Sequence, residues 1–73
     1  MRMTDFVLLN EIIKKSGMPM TVIALRSGIK RETLYNRLKG IGDFTASEIV
    51  GLTKVFKLTK AERDNIFFAR KVE

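Results

Sequence analysis

The chain contains neither cysteine nor histidine. Without cysteine no disulfide can staple the fold, and with both residues missing a zinc site is not expected. The lack of histidine also removes the commonest general base. No glycine-rich phosphate loop occurs, and the carboxylates are scattered at helix starts, where capping explains them. An enzyme is therefore not expected, and no cofactor is called for. No apolar run approaches the roughly 18 residues that cross a bilayer, and the N-terminus lacks the hydrophobic region of a signal peptide. Basic residues alternate with apolar ones instead of forming one polar face, which also argues against binding to a membrane surface. A soluble cytoplasmic protein is the expectation.

What is present is enough for one small domain. Seventy-three residues, 45% of them hydrophobic, make a single domain over residues 1–73 with one core. Such a core supplies no more than about 3–5 kcal/mol of net stability. Fourteen Lys and Arg against eight Asp and Glu give a net charge of +6, which favours a polyanionic partner, nucleic acid first. The excess is local. Between Arg26 and Lys39 stand five basic residues and one acid, Glu32.

Apolar spacing predicts an all-α chain with helices over about 5–16, 20–27, 31–39, 46–56 and 60–70. The first helix is expected to be capped by Thr4, with Asp5 in its first turn. It carries a stripe of Phe6, Leu9, Ile12 and Ile13 and stops at Gly17. Pro19 suits the start of the second helix, and Gly28 separates the second from the third. Gly40 and Gly42 break the third helix, with Ile41 between them expected to touch the core. Two capping boxes, Thr45-Ala-Ser-Glu48 and Thr59-Lys-Ala-Glu62, open the last two helices. Gly51 in the middle of the fourth costs about 1 kcal/mol relative to Ala and marks a close approach by another helix. Ile66, Phe67 and Phe68 are consecutive, so one helix face cannot bury all three; two are expected in the core and one at a dimer contact. No segment alternates with period two, and no strand is expected.

The stretch Met20–Gly40, MTVIALRSGIKRETLYNRLKG, has the pattern of a helix-turn-helix. Ile23, Ala24, Ile29, Leu34 and Leu38 face inward, and the outer face of its second helix is polar and basic. Such a helix can enter the major groove of DNA. Relative to Gly28, a small residue stands four before (Ala24) and an apolar residue one after (Ile29). Apolar residues stand six and ten after (Leu34, Leu38) and a glycine twelve after (Gly40). With FTASEIVGLTKVFKLTKAERDNIFF following, the chain resembles the lambda-repressor-like helix-turn-helix proteins, in particular small Cro-type regulators of temperate phages. It is also similar to the modulator-of-repression proteins of lactic-acid-bacterial phages, which act as antirepressors. The resemblance implies a five-helix lambda-repressor-like fold and a genetic-switch role inside a bacterial host cell.

Two functions follow from that resemblance. The first is an antirepressor that promotes the lytic choice by binding the DNA-binding domain of the phage repressor. Its contact candidates are Met18, Met20, Val22 and Leu25, which are more numerous than so short a segment can turn inward, with Arg31 and Tyr35 beside them. The second is a Cro-type repressor that reads double-stranded operator DNA with the third helix. By position, Lys30, Arg31, Glu32, Tyr35 and Asn36 then line the groove side, with Arg31 able to pair with guanine and Asn36 with adenine. Arg26, Arg37 and Lys39 are placed for phosphate. The family usually carries Gln, preceded by a Ser or Thr cap, where this chain has Met20 and Pro19. It also opens its third helix on a Ser or Thr where this chain has Lys30. Both departures weaken docking of helix N-termini on phosphate. A second copy of the chain is a further partner candidate.

Overall fold

A computed structural model describes residues 2–70. Among them are five helices, α1 (Phe6–Ser16), α2 (Met20–Ser27), α3 (Arg31–Leu38), α4 (Ala46–Phe56) and α5 (Lys60–Phe67). One two-residue antiparallel pair joins the chain's ends, β1 (Arg2–Met3) with β2 (Ala69–Arg70) in the register Arg2↔Arg70 and Met3↔Ala69. No described helix is long and apolar enough to cross a membrane.

Each helix contributes one fully buried aliphatic residue to a shared centre: Leu9, Ile23, Leu34, Leu52 and Ile66. Around them pack the partly buried side chains of Leu8, Ile12, Ile13, Leu38 and Phe56. Phe44 meets Phe67 edge-on, with centroids 5.3 Å apart and planes at 73°, an arrangement aromatic quadrupoles favour. Ile66 and Phe67 are buried, and Phe68 packs half-buried against the same core.

The cap of α1 is Asp5, not the expected Thr4. Its carboxylate accepts the backbone N–H of Leu8 at 3.0 Å, while its own N–H donates to the Ile66 carbonyl at 2.6 Å. That second bond also explains why α5 ends at Phe67 and does not run to about residue 70. The Ile66 carbonyl, which a longer helix would offer to residue 70, is taken by Asp5, and Ala69–Arg70 pair with β1. The strand pair corrects the expectation of no strands. Two residues are too few to display a period-two pattern.

Both capping boxes form as their sequences imply. Thr45 Oγ1 accepts from Glu48 N at 3.3 Å while Glu48 Oε1 accepts from Thr45 N at 2.9 Å. Thr59 and Glu62 repeat the arrangement at 3.1 and 2.8 Å. Hydrogen bonding from the Thr59 backbone, and then from its side chain, holds the Glu62 carboxyl below its ordinary value. α4 ends on Lys57 at φ 52°, the one non-glycine with positive φ among the described residues, a strain of roughly 1 kcal/mol.

Gly51 shows where α2 and α4 cross. A Cβ at this position would overlap the Ser27 carbonyl oxygen, and it would lie 3.1 Å from the carbonyl carbon. The obstacle is backbone, so it cannot swing aside. Gly51→Ala is therefore expected to lower stability by about 1–3 kcal/mol, overpacking outweighing the helix-propensity gain of about 1 kcal/mol. Urea unfolding checks this, and a more stable variant would contradict the crossing. A second expectation concerns Glu62. Its folded-state pKa is depressed, so its contribution is present at neutral pH and is lost as pH falls through the folded value. The gap in melting temperature between wild type and Glu62→Gln should therefore be widest near neutrality and close in acid.

Candidate functional site: the outer surface of α2 and α3

The turn between α2 and α3 is set by three residues. Gly28 adopts φ 77°, a left-handed conformation suited to glycine. The Ala24 carbonyl accepts the N–H groups of Gly28 at 3.0 Å and Ile29 at 3.2 Å, and the Ser27 hydroxyl at 3.2 Å. Ile29 is buried and pins the turn to the core. Neither Pro19 nor Lys30 makes a side-chain cap at the start of its helix. The N-terminal turns of α2 and α3 therefore rely on backbone bonds alone, such as Leu34 N to the Lys30 carbonyl at 2.9 Å.

On α3, Leu34 is fully buried and Leu38 half-buried, which turns the other side chains outward. Lys30, Arg31, Glu32, Tyr35 and Lys39 are exposed, Tyr35 to 44%. Arg31, Tyr35 and Lys39 are spaced by four and share one stripe, a cation at each end of an aromatic ring. Among the described residues none of Lys30, Arg31 and Lys39 forms an ion pair. Asn36 is half-buried beside this stripe.

Arg37, a candidate phosphate contact, is held within the fold. Its Nε donates to Glu48 Oε1 at 3.2 Å and its Nη1 to the Ile41 carbonyl at 3.2 Å. The two side chains are only 21% and 14% exposed. Glu48 Oε1 thus serves both the α4 cap and the tie to α3. The sequence showed Glu48 only as a capping residue, because its distance from Arg37 gives no periodic signal. Gly42, at φ 73°, leaves room for the guanidinium, which a Cβ there would strike.

The apolar candidates around α2 separate. Met20 lies one turn before Ile23 and Ala24 and packs with them against the core. Met18 also packs inward, with the Arg26 Nη1 3.6 Å from its sulfur. Val22 is half-buried, whereas Leu25 is 82% exposed. The expected four-residue patch therefore reduces to Leu25 flanked by Val22. Ile41, expected in the core, is 58% exposed at the tip of the α3–α4 connection. The left-handed glycines on either side of it let the chain turn without burying that side chain.

The surface is therefore a basic, aromatic-centred stripe on α3 and a single projecting leucine on α2. Its frame gives a prediction. Because Glu48 supports two interactions, Glu48→Ala should destabilise more than Thr45→Ala, which itself costs about 1 kcal/mol. A double-mutant cycle with Arg37→Ala should return a coupling of about 1 kcal/mol that shrinks in high salt. Zero coupling in urea unfolding would mean that the pair is incidental. In comparisons with known proteins, the chain matches no family model, no curated protein and no solved structure.

Proposed function

We propose that this chain is a phage-type genetic-switch regulator with a lambda-repressor-like helix-turn-helix, acting as an antirepressor that binds the DNA-binding domain of a repressor. The observation that carries this reading is Leu25, an aliphatic side chain 82% exposed on the outer face of α2. Full burial of such a side chain is worth about 1.5–3 kcal/mol, and phosphate offers it nothing. Two further features point the same way. No side chain caps the start of α2 or α3, and Arg37, a candidate phosphate contact, is engaged by Glu48. The exposed Arg31 and Tyr35 supply the residue types that most often anchor protein interfaces.

A second reading, direct operator binding in the Cro manner, is favoured by Lys30, Arg31 and Lys39 on α3, none of which forms an ion pair among the described residues. Lys30, Arg31, Glu32, Tyr35 and Asn36 would line the groove side, with Arg31 and Asn36 reading base edges, while Arg26, Arg37 and Lys39 would meet phosphate. Three phosphate contacts give a log–log salt slope of about −3.

Size-exclusion chromatography with the purified phage repressor, alongside a gel shift of operator DNA, separates the two. The antirepressor reading expects a complex that Leu25→Asp weakens about tenfold or more, with helical content unchanged and no shift of DNA by the chain alone. A complex indifferent to Leu25→Asp, a self-association peak that this variant abolishes, or a sequence-specific DNA shift with the stated salt slope would overturn it.

A further inference from the structure

Away from the α3 stripe, the C-terminal ends of α1 and α4 bound an open trough of about 370 Å³. Its floor is apolar, formed by Ile12, Met18, Val55 and Phe56, and Lys15 and Lys57 stand on its rim. Among the described residues no carboxylate lines it and neither lysine forms an ion pair. Arg26 adds a third cation beside it, with its guanidinium over the sulfur of Met18. From this combination we propose that the trough docks an acidic amphipathic segment of a partner protein, its apolar side chains on the floor and its carboxylates on Lys15 and Lys57.

Lysines near helix C-termini have an ordinary use, which is to offset the helix dipole. The balance here exceeds that need. Two helix ends contribute about half a negative charge each, so the two rim lysines leave about one positive unit in excess before Arg26 is counted. Lys14 and Lys15 both occupy the last turn of α1 and Lys54 that of α4, so each end carries a cation besides the one on the rim. Lys57 stands out further, because it holds the left-handed position that terminates α4, which glycine would occupy without strain. A cation is present where backbone geometry alone would select glycine. The floor suits an adaptable contact, since the unbranched thioether of Met18 can repack around different apolar side chains.

The proposal does not depend on the α2–α3 reading, because none of the trough's lining residues lies on α2 or α3. A fluorescein-labelled helical peptide of about 14 residues is a direct probe, with leucines at i, i+3 and i+7 and glutamates flanking them. Its affinity is compared with that of the same peptide carrying glutamine at the glutamate positions, and with dodecanoate, using fluorescence polarisation and ¹⁵N amide shifts. Expected are shifts confined to residues 12–18 and 55–57. The glutamate peptide should bind at least about tenfold tighter than the glutamine peptide, a difference of roughly 1.4 kcal/mol. The Lys15→Gln, Lys57→Gln double variant should lose at least about tenfold in affinity for it while it still melts cooperatively and keeps the wild-type ¹⁵N amide spectrum outside residues 12–18 and 55–57. Equal affinity for the two peptides, no peptide binding, shifts centred on 31–39, or saturation by dodecanoate but not by peptide would each overturn the assignment.

Discussion

The packing of α4 across the end of α2 is the contact on which the rest of the molecule depends. Gly51 and the Ser27 carbonyl come so close that no side chain fits between them. That closeness brings Leu52 and Ile49 of α4 onto Ile23 and Ala24 of α2, the centre of the core. In a chain this short the core has no second layer, and about 1–3 kcal/mol is a large share of the total stability. Ser27 and Gly28 are also where α2 turns towards α3, so the same crossing fixes the position from which α3 departs.

Two polar ties complete the frame. Glu48 joins the first turn of α4 to the last turn of α3 through Arg37. Asp5 joins the start of α1 to the end of α5 by accepting from Leu8 and donating to Ile66. In both cases one acidic residue caps its own helix and also holds a second element. Little of the outer surface is then needed for stability. Arg31, Tyr35, Lys39 and Leu25 can be as basic or as apolar as a partner requires, because the core residues behind them, Leu34 and Ile23, are already fully buried.

The two proposed interfaces lie on different parts of this surface. The α2–α3 face combines a projecting leucine with cations that form no ion pair among the described residues. The trough at the ends of α1 and α4 has the reverse layout, with apolar residues below and charge at the rim. Leu25 projects from its helix and the trough is concave, so the two faces differ in shape.

Much of this was legible in the amino-acid sequence because it is local. The all-α class, the Gly17 and Gly28 breaks, both capping boxes and the inward placing of Leu9, Ile23 and Leu34 follow from spacing and cap chemistry within a few residues. Even the role of Gly51 could be read, since a glycine in a strong helix asks for a close neighbour. Tertiary structure alone decided what depends on residues distant along the chain. The Ile66 carbonyl had to find Asp5 for α5 to stop at Phe67, and Arg37 had to find Glu48 for α3 to be tied to α4. Met18 and Met20 had to meet the core before Leu25 stood alone. Helical periodicity tells which side of a helix is apolar, but not how far a neighbouring helix reaches over it, and on that reach the candidate surface depends.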